Sequence, residues 1–278
     1  MFKTLRSQLP FPRLHCLFLA LYLALMASQA KAESALQLPY PDPASFGDFT
    51  AATYDDAGQR VGDASIQLKR LENGHVTLRL RSGFDKGARI ELDAELEPIE
   101  AGETPNLRIL RERSQSFDPK GKPLVILLID HEKGEASCTP PEGVKGKASV
   151  LALPSPDRVV NVPLNLLFQP LALGEVDSVE TQAFFCLGGA RMLGFTGRLA
   201  KGQGTLDREG RRIREVRYGP DGKNFMSWAA KAFAPKISFW LDVNRRGIYV
   251  AHRMPLYSGG PVVYVILDGV EPSSVLAR

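Results

Sequence analysis

The alternation of apolar and polar residues along the chain predicts mostly β-strands. The stretch HVTLRLRS (75–82) alternates strictly, and RVGDASIQLKRL (60–71) and ARIELDAELEPI (88–99) repeat the same two-residue period. Successive side chains of a strand point to opposite faces, so this period predicts an antiparallel sheet with one apolar and one polar face. The Asn-Gly pair within ENG (72–74) predicts a hairpin turn between two of these strands.

Two further groups of strands have a different pattern. PLVILLID (123–130) is apolar almost throughout, which predicts a strand covered on both faces. HEKG (131–134) predicts the turn that follows, and EASC (135–138) the next strand. Near the end of the chain, KISFWLDV, GIYVAHRMPLY and PVVYVIL predict a three-strand meander.

The pattern becomes helical in two places only. Residues 154–176 contain a run of leucines interrupted by Pro163 and Pro170, which favours one or two short helical turns. FMSWAAKAF (225–233) predicts a short helix that ends before Pro235.

The first 32 residues are typical of a cleaved secretory signal peptide. Basic residues precede an apolar core at 16–27, and Ala30 and Ala32 form a small-residue cleavage pattern. The core is shorter than the ~20 residues that span a bilayer, and no later segment is long and apolar enough to cross a membrane. We therefore expect an exported, periplasmic protein. Residues 33–48 would be an extended, proline-rich lead-in, and residues 49–278 a single β-rich domain.

Removing the signal peptide changes the charge of the chain. The whole sequence has 35 Lys and Arg against 31 Asp and Glu, and four of the basic residues but none of the acidic ones lie in 1–32. The mature chain is therefore close to neutral, which argues against nucleic-acid binding.

Two cysteines remain after cleavage, Cys138 and Cys186. An even number of cysteines in an exported chain usually indicates a disulfide, although two buried free thiols are the alternative. A bridge would close a loop of roughly 49 residues and stabilise the fold by ~4 kcal/mol.

The cluster DHE (130–132) is the densest group of chemically versatile side chains. Adjacent turn residues point in divergent directions and rarely bind one ion, so we expect a structural turn and no metal or cofactor site. Cys186 precedes Gly-Gly but lacks the surroundings of a known nucleophile. A hydrolase or transferase using His131 or Cys186 remains a weaker alternative.

Four stretches together carry a family resemblance. They are GQRVGDASIQL, LLIDHEKGEASC, DRVVNVPLNLLFQPLALGE and the C-terminal ISFWLDVNRRGIYVAHRMPLYSGGPVVYVIL. In this order they resemble an exported bacterial family, domain of unknown function 3108, which is similar in architecture to periplasmic lipoprotein carriers. The resemblance implies a mainly β fold, a curved antiparallel sheet or half-open β-barrel with one or two short helices, and no established catalytic residue.

A sheet that curves without closing leaves an apolar concave face, which is either capped or holds a ligand. Our main hypothesis is a non-enzymatic cell-envelope protein that binds a hydrophobic ligand, a lipid or a lipidated polypeptide in this groove. Candidate lid or groove residues are Leu164, Leu166, Leu167, Phe225 and Trp228. The alternative is a structural or interaction module of an envelope assembly.

Overall fold

The structure is a computed structural model that describes residues 36, 38–84, 87–101, 104–140, 148–186, 189–201, 205–206, 210–245, 248–256 and 260–276. The predicted signal peptide at 1–32 lies outside these residues. Part of the proline-rich lead-in is described, and its Leu38 is fully buried in the core.

Sixteen strands make up one antiparallel sheet in the described part of the chain. They are β1 (Leu38–Pro39), β2 (Gly47–Tyr54), β3 (Arg60–Arg70), β4 (Val76–Gly83), β5 (Arg89–Ala101), β6 (Thr104–Phe117), β7 (Pro123–Asp130), β8 (Glu135–Thr139), β9 (Ser149–Ala152), β10 (Ser178–Cys186), β11 (Ala190–Leu199), β12 (Thr205–Leu206), β13 (Arg212–Pro220), β14 (Ile237–Asp242), β15 (Tyr249–Pro255) and β16 (Val262–Leu267).

The strand order runs β10-β11-β13-β14-β15-β16-β2-β3-β4-β5-β6-β7-β8-β9, with β1 paired to β6 and β12 paired to β13. The C-terminal meander therefore joins the N-terminal one through the β16–β2 pair, in which Tyr264 lies opposite Tyr54. The sheet is not closed by hydrogen bonds, because β10 and β9 each pair with a strand on one side only. The prediction of a mainly β, half-open antiparallel sheet is confirmed.

Four short α-helices and two 3-10 turns interrupt the strands in the described residues. The helices are α1 (Leu164–Leu167), α2 (Gln169–Leu173), α3 (Phe225–Phe233) and α4 (Ser273–Leu276), and the 3-10 turns are Pro43–Ser45 and Pro156–Arg158. None of these helices is long and apolar enough to cross a bilayer. The helical positions predicted at 154–176 and 225–233 are those of α1, α2 and α3.

The hairpin between β3 and β4 has the turn that its sequence predicts. Leu71 and His75 close it with a backbone hydrogen bond of 2.8 Å, and Gly74 has a φ of +86°. This left-handed conformation suits glycine, which has no Cβ to clash with the backbone. The turn sets the register in which Leu68 lies opposite Leu78 on the buried face.

The prediction that β7 is covered on both faces is wrong. Leu127 and Ile129 are buried, whereas Leu124 and Leu128 are each 38% exposed. The buried side packs against β10 in a cluster that includes Phe184. The opposite side of β7 has no covering layer among the described residues, so its leucines face solvent.

The two ends of the sheet meet at β10. One face of this strand, with Ala183 and Phe185, belongs to the main core, and the other face, with Phe184 and Cys186, packs on β7 and β8. The disulfide Cys138–Cys186 links β8 to β10 there, with the two Cα atoms 5.6 Å apart. The predicted bridge thus joins strands from opposite ends of the strand order.

Candidate functional site

The inner face of the sheet is filled by residues 159–173, which we call the plug segment. It contains α1 and α2, and its buried leucines include Leu164, Leu166 and Leu167. They share one core cluster with residues of β3 to β6 and of β10, β11, β13 and β14. Side chains from both halves of the strand order can meet one short segment only because the sheet curls around it.

Phe168 lies at the centre of this packing. Its ring is 5.1 Å from that of Tyr218 and 5.3 Å from that of Phe239. It also requires Gly197 on β11, because a Cβ at that position would lie 2.8 Å from the Phe168 ring. The groove predicted from the sequence is therefore occupied by the chain's own side chains.

Two small cavities lie between the start of the plug segment and the sheet, and a third lies beside the first, lined by β4, β5, β15 and β16 with Leu256. Their volumes are about 40, 30 and 10 Å³. Their walls are largely apolar, and Ile66 and Leu78 line the first two. A cavity of ~10–15 Å³ holds one water molecule, whereas pockets for drug-sized ligands measure ~300–1,000 Å³. In this conformation the cavities accommodate only a few atoms.

Two polar groups in the cavity walls come from β15. Tyr249 donates its hydroxyl proton to the Val265 carbonyl at 2.8 Å, and the same oxygen lies 2.8 Å from His252 Nδ1. A phenol has one proton, so Nδ1 must be the donor in the second bond. This tautomer leaves Nε2 of His252 as an acceptor, and it has no hydrogen-bond partner among the described residues.

Burial sets the protonation of this pair. It lowers the pKa of His252 to about 3, because the charged imidazolium would be desolvated. It also raises the pKa of Tyr249 well above its usual value. Both side chains are therefore neutral at physiological pH, and this wall of the cavities offers hydrogen bonds but no charge.

A further polar group in the cavity walls is Asn165, in α1. Only 8% of this residue is exposed, it lines the first and second cavities, and it forms no side-chain hydrogen bond with any described residue. Buried amides are nearly always paired, so an unpaired one beside a cavity is unusual. Asn165 and His252 both line the first cavity, and each has unused hydrogen-bonding capacity.

A second polar cluster holds the start of the plug segment, and we call it the clamp: Glu112, His131 and Asn161. Glu112 Oε2 accepts hydrogen bonds from the backbone N–H groups of Asn161 at 2.7 Å and Val162 at 2.5 Å. Glu112 Oε1 lies 2.8 Å from His131 Nε2. The Asn161 amide in turn bonds both backbone groups of Phe184 on β10, at 2.7 and 2.9 Å.

Every polar atom at the core of the clamp has a partner. His131 Nδ1 lies 3.0 Å from the Pro156 carbonyl, so it must be the donor there. The side chains of His131 and Glu112 are only 6% and 1% exposed. Burial raises the pKa of Glu112, although hydrogen bonds from His131 and the two backbone amides oppose this shift. The clamp thus ties β6, the turn after β7, the plug segment and β10 together.

This geometry bears on the hypothesis of an enzyme that uses His131 or Cys186. Both ring nitrogens of His131 are engaged, and the sulfur of Cys186 is bonded to Cys138. Residues 131–134 form the turn between β7 and β8, as predicted. No cluster of three or more His, Cys, Asp or Glu side chains suited to a metal occurs in the described ranges.

The structure does not bring Phe225 and Trp228 together with the three leucines. They lie on α3, with 76% and 64% of their surfaces exposed, and Phe233 on the same helix is 90% exposed. The leucines are buried in the core. The predicted site residues therefore occupy two separate places, the plug segment and an exposed helix.

Comparisons with known proteins give little further information. No family model matches the chain, and no curated protein matches it. Among solved structures, it is similar to a beta-barrel-like protein of the domain of unknown function DUF1849 from Brucella abortus. The two share 15% identity over 84% of this chain and 97% of that chain, with a TM-score of 0.42. A likeness at this level adds nothing to the fold described above, and membership of domain of unknown function 3108 stays a prediction.

Sequence reasoning missed Glu112, Asn161, Asn165 and His252. Glu112 lies in the stretch LRERS (110–114), whose sequence is typical of a solvent-exposed strand. The pairing of β5 with β6 is irregular at Leu110, and as a result Glu112 points inward, opposite Ala94. The adjacent apolar pair Ile109-Leu110 is the signal that could have revealed this shift. A similar irregularity within the β14–β15 pair puts Tyr249 and His252 on one face despite their odd spacing.

Proposed function

We propose that this protein is a non-enzymatic cell-envelope protein that binds a hydrophobic ligand between the plug segment and the inner face of the sheet. The observation that carries the proposal is the cavity lined by Asn165 and His252. Each of these side chains is more than nine-tenths buried and retains unused hydrogen-bonding capacity. A purely structural core would be more stable with apolar residues there.

The chemistry of the walls restricts the ligand. Ile66, Leu78, Leu80, Leu92 and Phe239 offer an apolar surface. Asn165 can donate and accept hydrogen bonds, and neutral His252 can accept one at Nε2. Among the residues that the structure describes, no charged side chain lines the three cavities. The favoured ligand is therefore an aliphatic chain with an uncharged polar group, such as a hydroxyl, ester or amide of a lipid or acylated polypeptide.

The volume of the cavities requires part of the plug segment to move when such a ligand binds. The clamp holds the backbone of Asn161 and Val162, whereas α1 begins at Leu164, just after it. In our proposal the clamp is the fixed point, and residues 163–168 move away from the sheet. The ligand then takes over apolar contacts that the leucines make in the closed form.

Mass spectrometry of the natively purified protein tests the proposal most directly. We expect an organic extract to contain a co-purified lipid, and we expect the protein mass to correspond to a chain beginning at Glu33. Repeated absence of any lipid, together with no saturable binding of a fluorescent long-chain alcohol, would refute ligand binding. A protein that retains residues 1–32 and stays in the cytoplasm would refute export.

Variants locate the binding site. We expect Asn165→Leu to weaken binding of the long-chain alcohol by about five- to tenfold, which is the value of one hydrogen bond. The same variant should bind an alkyl probe without a hydroxyl as tightly as the parent protein does. Val150→Ser, at a 62% exposed position on β9, is the matched control and should change neither affinity.

The alternative, an interaction module of an envelope assembly, has its own supporting observation. Leu128 on β7 and Val150 on β9 are both exposed, and each lies opposite Ser137 of β8. They form an apolar row beside β9, an edge strand that could pair with a strand from another chain. Crosslinking in cells from a photoreactive residue at position 150 tests it, and a single abundant protein adduct would support it.

A further inference from the structure

Helix α3 is an amphipathic helix whose large apolar side chains face outward. The side chain of Ser227 is fully buried, whereas Phe225, Trp228 and Phe233 are exposed to 76%, 64% and 90%. At 100° per residue, Phe225 and Trp228 lie 60° apart on the helix surface, about 160° and 100° from Ser227 respectively. Their rings stack, with centroids 6.2 Å apart. The helix therefore packs on the protein through the face that contains Ser227 and presents these three aromatic side chains to the outside.

Its attachment is specific, so this exposure belongs to the folded state. Asn224 caps the helix by accepting a hydrogen bond from Ser227 N at 2.8 Å. The Ser227 hydroxyl donates to Asp221 Oδ1 at 2.5 Å, and Asp221 N donates to the Gly194 carbonyl of β11 at 3.0 Å. These bonds fix one face of α3 against β11 and β13 and leave the aromatic face outward.

Within the helix and the segments directly before and after it, residues 222–241, every charged residue is basic. The sequence between Asp221 and Asp242 contains Lys223, Lys231 and Lys236 and no acidic residue. Lys223 is paired with Glu180. Lys231 and Lys236 are exposed, and neither forms an ion pair with a described residue. Two uncompensated cations therefore lie close in sequence to the three exposed aromatic residues.

From this arrangement we infer that α3 docks the protein on the surface of an anionic lipid bilayer. Tryptophan and phenylalanine partition into the boundary between headgroups and acyl chains, and lysines at the same level contact anionic headgroups. A groove in a protein partner would bury the aromatic residues equally well, but it would give no reason for the absence of acidic residues. The excess of lysines over acidic residues in this segment therefore favours an anionic lipid surface over a protein groove.

Sedimentation with vesicles tests this inference. The full chain is expressed and purified, then mixed with vesicles of phosphatidylethanolamine and phosphatidylglycerol or with vesicles of phosphatidylcholine alone. We expect binding to the anionic vesicles that weakens as salt is added, and a blue shift in the emission of Trp228. Trp240, the other tryptophan of the chain, is 3% exposed and should not respond.

Two sets of variants separate the aromatic and charge contributions. Phe225→Ser, Trp228→Ser and Phe233→Ser combined should reduce the partition coefficient at least ~tenfold, since three apolar side chains no longer enter the interface. Lys231→Glu and Lys236→Glu should each reduce it about fivefold or more on anionic vesicles. All these positions are exposed, so we expect native circular dichroism and thermal stability.

Leu128→Ser with Val150→Ser is the matched control, because it removes exposed apolar side chains on β7 and β9 and should leave vesicle binding unchanged. Failure of the parent protein to bind anionic vesicles overturns the inference. It is also overturned if the triple serine variant binds as well as the parent. Equal binding to both kinds of vesicle contradicts the role assigned to the lysines.

Discussion

Two buried histidines on the inner side of the sheet are used in opposite ways. His131, in the clamp, has partners for both ring nitrogens: the Pro156 carbonyl and the Glu112 carboxyl group. His252, in the cavity wall, uses only Nδ1, which bonds Tyr249. A fully paired buried network fixes one conformation, whereas an unpaired buried acceptor costs free energy unless something else satisfies it.

The difference divides the inner region into a fixed part and an adaptable part. The clamp holds the start of the plug segment to β6 and β10, and the nearby disulfide adds a covalent link between β8 and β10. The cavity side has unfilled volume and free polar groups at Asn165 and His252. The predictions below test each side of this contrast, beginning with the largest expected effect.

Removing the clamp carboxylate should have the largest effect on stability. Glu112→Ala leaves the N–H groups of Asn161 and Val162 and the Nε2 atom of His131 without a partner in a buried site. We expect a loss of about 3–5 kcal/mol in the free energy of unfolding, measured by urea denaturation. Glu112→Gln should lose much less, since its amide can donate to His131 Nε2 and its oxygen can accept from both backbone groups.

A partly exposed pair provides the control for this prediction. His75 Nδ1 lies 3.0 Å from Glu95 Oε1 in a similar pairing, but the two side chains are 26% and 39% exposed. Glu95→Ala should therefore change the free energy of unfolding by less than ~1 kcal/mol. If Glu112→Ala destabilised no more than Glu95→Ala, the clamp would not be the fixed point of the inner region.

The disulfide should contribute slightly less than Glu112 to the free energy of unfolding. Its loss should affect the strands near the clamp more than the rest of the sheet. Replacing Cys138 and Cys186 together with serine should lower the free energy of unfolding by about 2–4 kcal/mol. Because the bridge joins β8 to β10 beside the clamp, amide exchange should accelerate at Phe184 and Asn161 more than in β15. Equal acceleration in all three places would show that the bridge does not act locally on the clamp side.

Acid should destabilise the cavity side through His252. Its pKa is lowered to about 3 in the folded state from 6.5, so the unfolded chain binds the proton more tightly. The stability associated with neutral His252 is thus present above pH 6.5 and is lost as the pH falls from there towards 3. We expect a loss of about 2–3 kcal/mol between pH 7 and pH 4, from ~1.4 kcal/mol per pH unit with allowance for relaxation.

The variant His252→Asn isolates this effect. The asparagine amide can still donate a hydrogen bond towards Tyr249 but does not titrate in this range. Its stability should therefore fall less steeply between pH 7 and pH 4 than that of the parent. If the free energy of unfolding of His252→Asn fell with pH as steeply as that of the parent, other groups would be responsible for the acid sensitivity.

Most of the fold could be predicted from the sequence, because a two-residue period with turn signals determines strands locally. The stretch at 75–82 and the ENG turn required no knowledge of distant residues. The coverage of β7 could not be predicted in the same way. Which side of PLVILLID is covered depends on β10, a strand that follows some fifty residues later in the chain.

The candidate site was harder to predict for a related reason. The leucines of the plug segment, which the sequence offers as lid or groove residues, are part of the core. Glu112 and His252 face inward because each follows an irregularity in strand pairing. Beyond such an irregularity, the residues that would have faced outward face inward. Such a switch of faces depends on how two strands pair. The alternation of apolar and polar residues within one strand therefore does not reveal it.

The smallest expected effect on stability has the opposite sign. Asn165→Leu replaces a buried amide that forms no hydrogen bond with any described residue by an apolar side chain of similar size. If the amide is retained to bind a ligand, this change should raise the free energy of unfolding by about 0.5–1 kcal/mol while weakening ligand binding. Asn161→Leu is the matched control on the clamp side, and it should destabilise, since the Asn161 amide bonds both backbone groups of Phe184. If Asn165→Leu also destabilised, Asn165 would belong to the structural network, and the contrast between the two sides would fail at this residue.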